Sequence, residues 1–177
     1  GVPVLYLVEN NLYAVGTRAN ESSYVSDLAL RSLGYGFDSL IVDGMDPVSV
    51  YVAVRDGTEE MRREPFPFLI EAKTYRYRHH GGGLIGSAFG YRSKEEEAEW
   101  LGRDPVAVFP RKLIERGLIS EQEDQRLHDM AEESVARAEA SCVEERDGRR
   151  YVPEAKWPAG ESAMLNIRCE EDLFSDV

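Results

Sequence analysis

The sequence predicts an α/β chain, a parallel sheet with flanking helices followed by a C-terminal helical appendage. Three observations carry this. Apolar runs at 2–8, 39–42 and 68–75 read as strands, capped amphipathic stretches separate them, and helical patterning takes over beyond Gly90. The order strand, helix, strand, helix, strand calls for parallel pairing with right-handed crossovers.

Val2-Pro3-Val4-Leu5-Tyr6-Leu7-Val8 reads as a fully buried first strand. The chain opens without a methionine inside this run, and a buried parallel strand needs neighbours on both sides. An upstream half, cleaved off or supplied as a separate polypeptide, is therefore expected. A polar loop, 9–17, leaves the strand's carboxyl end. The stretch 25–33 predicts a short amphipathic helix stopped by Gly34, and Ser39-Leu40-Ile41-Val42 a second strand closing on Asp43-Gly44. Asp46 caps the next helix with Pro47 in its first turn, Pro65 and Pro67 end it, and the third strand begins near Phe68.

Ser93-Lys94-Glu95-Glu96 reads as a capping box, Asp104-Pro105 as a helix start, and Ser120-Glu121-Gln122-Glu123 as the cap of a long charged helix. Leu113, Ile114, Leu127, Met130 and Val135 at turn-like spacing are expected to pack on the sheet or on a partner. Asp147-Gly148 and Trp157-Pro158-Ala159-Gly160 read as turns in an irregular tail. The expected divisions are 1–92, an α/β domain; 93–145, helical; and 146–177, the tail.

With 177 residues and 42% hydrophobic content the chain can bury a real core. Its 33 acidic against 21 basic residues, a formal charge of −12, argue against nucleic acid as a partner. No run is long and apolar enough to span a bilayer, and the first residues lack the charged start of a signal peptide. A soluble, cytoplasmic protein is expected. Cys142 and Cys169 are too few and too far apart for a thiolate metal site and are expected to be reduced, structural thiols.

The three strand ends should share one edge, where ligands bind in open α/β sheets. That edge gathers Asn10-Asn11, 43–46 and Tyr75-Arg76-Tyr77-Arg78-His79-His80. The amide oxygens of paired asparagines suit a hard cation such as magnesium carrying a diphosphate; equally, such residues bond their own backbone in a turn. Arg76, Arg78, His79 and His80 suit phosphate oxygens with an imidazole beside them for proton transfer, or form a solvated turn. Gly81-Gly82-Gly83 with Gly86 and Gly90 could close over a ligand or serve as a linker. His128 reads as a surface residue. No Walker loop, dinucleotide fingerprint, serine-hydrolase elbow or zinc-protease helix is present in the sequence.

Taken together, 9–17, Val42-Asp43-Gly44-Met45-Asp46, 68–77 and Tyr91-Arg92-Ser93 resemble the alpha subunit of thiamine-diphosphate-dependent 2-oxo acid dehydrogenases, a family with pyruvate, branched-chain and acetoin members. The resemblance runs almost end to end. Gly34-Tyr35-Gly36, the paired histidines and the terminal Leu173-Phe174-Ser175-Asp176-Val177 look most like the branched-chain type. It implies the C-terminal half of the thiamine-diphosphate-binding fold, with thiamine diphosphate and Mg2+ as cofactors. Asn11 would give its side-chain oxygen and Tyr13 its backbone carbonyl to the magnesium, and Arg76 would contact the diphosphate. His80 would border the cofactor and assist acyl transfer to a lipoyl group.

The implied partners are the N-terminal half of the alpha subunit, the beta subunit, the lipoyl domain of the acyltransferase component and a 2-oxo acid substrate. Family members of full length carry an upstream Gly-Asp-Gly segment whose aspartate completes the magnesium shell; it does not occur in these 177 residues. The glutamate that activates the cofactor belongs to the beta subunit. Where animal relatives place a regulatory phosphoserine after the second histidine, this chain has Gly81, so kinase control there is not expected. Acetoin cleavage or acyloin formation, and a non-catalytic assembly role, stand as alternatives.

Overall fold

The computed structural model describes residues 1–156. They fall into two compact units, Gly1–Ile119 and a second beginning at Ser120. In chain order the first holds β1 (Leu5–Asn10), β2 (Tyr13–Ala14), β3 (Thr17–Arg18), the single turn α1 (Ala19–Ser22), a 3₁₀ helix (Leu28–Tyr35) and β4 (Asp38–Asp43). There follow α2 (Pro47–Arg63), β5 (Phe68–Lys73), a 3₁₀ turn (Gly86–Phe89), α3 (Lys94–Leu101) and α4 (Pro105–Glu115).

The sheet has the order β1-β5-β4, all parallel, with Leu5 and Asp38 both opposite Phe68, and Asn10 and Asp43 both opposite Lys73. The last strand enters the middle because it is the one whose residues bury on both faces: Ile70 and Glu71 are 0% exposed. β1, expected to be fully buried from Val2, starts instead at Leu5, and Tyr6 and Leu7 are 48% exposed. It pairs only with β5 among the described residues.

Asp46 caps α2 by accepting the Val48 N–H at 3.0 Å and the Ser49 hydroxyl at 2.8 Å, with Pro47 in the first turn as expected. The helix lays Ala53 and Met61 on Phe68 and Ile70, with Leu5, Val42, Val54 and Phe66 at the margin. This is the core of the first unit. The opposite face carries the 3₁₀ helix, which differs from the expected helix over 25–33. Asp27, at its start, gives its side chain to Lys73 (2.9 Å) rather than to a cap. Its end is Gly36, not Gly34, because the left-handed φ of 74° occurs there.

α3 and α4 belong to the first unit, so the expected division at 92/93 falls inside it: the Glu96 carboxylate of α3 bonds residues at the strand ends. In the second unit α5 (Glu121–Cys142) starts on the expected capping box, Ser120 accepting from Glu123 N at 3.2 Å and Glu123 from Ser120 N at 2.8 Å. Its Leu127, Met130 and Val135 are half or more exposed. The tail, expected to be irregular, begins with a hairpin: β6 (Glu144–Arg146) and β7 (Arg149–Tyr151) pair around Asp147 and Gly148, whose positive φ values of 54° and 70° match a type I′ turn.

Arg150 of that hairpin pairs with Glu139 of α5. Cys142 is a free and exposed thiol, which corrects the expected structural role. His128 is exposed, as expected. The turn at 157–160, Cys169 and the terminal 173–177 motif lie outside the described residues. Among those described, no helix is long and apolar enough to cross a membrane.

Candidate functional site

Two backbone bonds bring the three strand ends to one edge: Thr74 N–H donates to Asn10 O (3.0 Å) and Gly44 N–H to Lys73 O (2.8 Å). At that edge Asn11, Gly44 and Arg76 line a cavity of about 360 Å³ together with Glu9 and Thr74. Asn11 also lines an adjoining cavity of about 220 Å³ with Tyr13, Ser22 and Arg31. Asn11 thus shares one cavity with Arg76 and the adjoining one with Tyr13.

Both asparagines do what short polar side chains do in turns. Asn10 Oδ1 accepts Leu12 N–H and Asn11 Oδ1 accepts Tyr13 N–H, each at 3.1 Å, and Leu12 is held at φ 70°. An amide oxygen has two lone pairs, so Asn11 retains acceptor capacity on the cavity side. Among the described residues no group of three or more His, Cys, Asp or Glu could hold a metal by itself. A cation here would need amide, carbonyl and ligand oxygens.

Arg76 is half-buried and aimed by its neighbours: Nε donates to Arg78 O (3.0 Å), and Nη2 donates to Val15 O (2.6 Å) and to the Tyr91 hydroxyl (3.4 Å). Among the described residues Nη1 makes no hydrogen bond, and Arg76 lines the cavity. Beyond it the glycine loop folds back on itself. Arg78 bridges to Ile85 and its guanidinium donates to Gly83 O, His79 N–H donates to Leu84 O (2.8 Å), and Gly86 N–H to Tyr77 O (3.2 Å). His79 lies 4.0 Å from the Phe89 ring with Nδ1 accepting from Gly81 N–H (3.2 Å). His80 is exposed and lines neither cavity.

Four inward-facing charged residues, Arg92, Glu97, Glu71 and Glu96, escaped the sequence reading as participants. The Arg92 side chain is 0% exposed, donates to the carbonyls of Arg76 (2.5 Å) and Tyr77 (2.6 Å), and lies over the rings of Tyr75, Tyr91 and Tyr13 at 4.9, 5.3 and 5.5 Å. Its Nε is 3.0 Å from Glu97 Oε1, an ion pair too bent for a hydrogen bond. Glu97 also accepts Ser87 N–H at 2.7 Å.

Glu71 accepts Asn10 Nδ2–H (2.6 Å) and Ala29 N–H (2.6 Å) and pairs with Lys73 (2.7 Å). Burial pushes its carboxyl up, but the bonds from Asn10, Lys73 and Ala29 outweigh that and hold it below its ordinary value. A carboxylate inside an otherwise apolar strand, two residues from a lysine, was the signal that could have found it.

Glu96 corrects the expected capping box. Ser93 does cap α3 by accepting Glu96 N–H (3.1 Å), yet the Glu96 carboxylate turns inward to the Tyr13 hydroxyl (2.6 Å), Arg18 (2.6 Å) and the Tyr75 hydroxyl (3.2 Å). Burial raises its carboxyl; the bonds from Tyr13 and Arg18 prevail and lower it. Burial, then the Glu96 bond, pushes the Tyr13 phenol well above its usual range, and burial with the nearby Glu96 charge pushes Tyr75 up to about 12 against the opposing charge of Arg92. At neutral pH the phenols are donors and Glu96 an ionised acceptor.

A family model described as the dehydrogenase E1 component matches residues 1–147. The chain belongs to the dehydrogenase E1 family. Among its relatives, the pyruvate dehydrogenase E1 component subunit alpha of Rickettsia conorii is 32% identical over 156 residues, covering 86% of this chain and 47% of that one. The corresponding Bacillus subtilis subunit is 35% identical over 137 residues, 77% of this chain and 36% of its own. The 2-oxoisovalerate dehydrogenase subunit alpha of Bacillus subtilis is 34% identical over 128 residues, 72% and 38% respectively. The E1 chain described here thus spans less than half the length of these relatives, and its parallel sheet with flanking helices is the fold expected.

Proposed function

We propose that this E1 chain is the alpha-subunit portion of a 2-oxo acid dehydrogenase that works on thiamine diphosphate with Mg2+. One observation carries the reading: Asn11 and Arg76 line the same cavity at the carboxyl edge of a parallel sheet. The residues present fit the group. A guanidinium with a spare nitrogen suits a diphosphate, and an amide oxygen with a spare lone pair suits the hard cation that a diphosphate carries.

In this reading Arg76 binds diphosphate oxygens, while the Asn11 side chain and the Tyr13 carbonyl ligate magnesium. When bound, thiamine diphosphate supplies the electron sink for decarboxylation. Arg76, oriented by the carbonyls of Val15 and Arg78, fixes the anionic end of the cofactor. His80, exposed at the loop, serves as the proton-handling group at the mouth during acyl transfer to a lipoyl domain. The upstream segment of the alpha subunit completes the metal shell and the beta subunit supplies the activating glutamate. A branched-chain 2-oxo acid is the preferred substrate, a choice supported by His79-His80 and Gly34-Tyr35-Gly36; E1 relatives named for pyruvate and for 2-oxoisovalerate both align.

The test is calorimetric binding of thiamine diphosphate to the assembled enzyme as magnesium is varied. Asn11→Ala is expected to weaken magnesium-dependent binding by at least about 10-fold, roughly the worth of one bond to a charged group. Undiminished binding would overturn the metal assignment. Reduction of an artificial electron acceptor should favour a branched-chain 2-oxo acid over pyruvate, and a preference for acetoin would overturn the substrate class.

A further inference from the structure

We propose that the tetrapeptide 10–13 is held in its ligand-presenting shape by two inward-facing carboxylates, Glu71 at one end and Glu96 at the other, which act as positioning residues for the magnesium site. The inference rests on the proposed function. At the first end, an amide that donates through Nδ2 must present Oδ1 to the opposite side. Asn10 donates to Glu71 at 2.6 Å, and its Oδ1 then meets Leu12 N–H at 3.1 Å. That bond holds Leu12 in the left-handed region at φ 70°, a conformation unfavourable for a leucine by itself. The reversal at Leu12 leaves Asn11 on the cavity side and brings Tyr13 N–H to Asn11 Oδ1 at 3.1 Å.

At the second end the Tyr13 hydroxyl donates to Glu96 at 2.6 Å, and the ring packs on Tyr91 at 5.4 Å. A side chain fixed at its tip and along its ring fixes its own backbone, including the carbonyl assigned to the metal. Each carboxylate uses its other oxygen on a different element: Glu71 takes Ala29 N–H of the 3₁₀ helix, and Glu96 takes Arg18 of β3. The tetrapeptide is thereby keyed to four elements at once: β5, the 3₁₀ helix, α3 and β3.

The polarity of the Asn10–Glu71 bond supplies a test. In the assembled enzyme, Glu71→Gln turns a carboxylate oxygen into an NH2 that faces a donor. It is expected to raise the magnesium needed for half-saturation, read by calorimetry with thiamine diphosphate present, by about 10- to 100-fold, the usual loss when a group behind a metal ligand is changed. The double variant Asn10→Asp with Glu71→Gln restores the bond in reverse, since the carboxylate introduced at position 10 accepts from the glutamine NH2 and still accepts Leu12 N–H, while Lys73, which loses Glu71 Oε1, keeps Asp27 at 2.9 Å. Magnesium affinity should recover to within about threefold. Tyr13→Phe, which removes only the hydroxyl, tests the other end and should weaken magnesium several-fold.

A lowered thermal midpoint with unchanged magnesium affinity in Glu71→Gln and Tyr13→Phe would overturn the proposal, as would a double variant that folds but recovers nothing. Should Glu71→Gln alone not fold, the double variant and Tyr13→Phe still decide. Asn11→Ala separates the layers: if it weakens magnesium binding while the carboxylate variants do not, the positioning claim alone fails. If Asn11→Ala has no effect, the functional reading fails and takes the proposal with it.

Discussion

Arg92 tethers the backbone of Arg76 and Tyr77 and pairs with Glu97, and Arg92→Met should show how much depends on it. The substitution keeps the stem's volume and removes a guanidinium that donates to two carbonyls, 76 and 77, and neutralises Glu97, itself 6% exposed. Breaking a buried pair from one side costs about 3–5 kcal/mol, because the remaining charge loses its counter-ion without regaining water. For a chain of this size that corresponds to a fall of about 10 °C in thermal midpoint. Urea denaturation followed by tryptophan fluorescence reads the loss, and trypsin should cut faster after Arg76 and Arg78 because their segment is no longer tethered. Adding Glu97→Gln, which still accepts Ser87 N–H, should recover about 1–2 kcal/mol by removing the orphaned charge. A loss under about 1 kcal/mol with unaltered trypsin cleavage would refute the reasoning.

Two further outcomes follow from particular contacts. In Gly44→Ala the new Cβ would lie 2.8 Å from Lys73 O and 3.1 Å from Ala72 Cβ, so the ends of β4 and β5 must part; a loss of about 1–3 kcal/mol in urea and weaker cofactor binding are expected, and a neutral result would show the edge to be pliant. Glu71 and Glu96 are held below their ordinary values, so the unfolded chain binds their protons first on acidification. Their stabilisation is complete above the unfolded value of about 4.3 and is lost as pH falls through the lower folded value. Urea midpoints between about pH 3 and 7 should fall less steeply at the acid end for Glu71→Gln than for the parent, and parallel curves would contradict this.

Much of the fold was legible because its signals are local. Asp46 before Pro47, Ser120 before Glu123 and Asp147-Gly148 each involve partners within three residues, and the structure has the cap, the capping box and the turn they indicate, although the strands around that turn were not expected. Ser93-x-x-Glu96 shows the limit. Its sequence is a capping box, but the Glu96 carboxylate accepts from Tyr13, 83 residues away, and not from the helix terminus, so only half the motif forms. The 3₁₀ helix is similar: Asp27 stands at its start, but its carboxylate accepts from Lys73, 46 residues on, and caps no helix N–H. The histidines differ for another reason. Two neighbours in sequence part company because His79 packs on Phe89 while His80 points out, and no spacing rule distinguishes them.

By itself the sequence determined the alternation of strands and helices, the family, and the gathering of Asn10-Asn11, Asp43-Gly44 and Arg76 at one edge, since parallel strands joined by crossovers must end on the same side. Only the tertiary structure decided that the last strand lies in the middle, that Arg92 sits under the loop, and that Glu71 and Glu96 bracket the tetrapeptide 10–13. Those outcomes turn on carboxylates drawn in from solvent whose partners lie 61 and 83 residues away, and the cost of burying a charge is set by the three-dimensional neighbours that meet it.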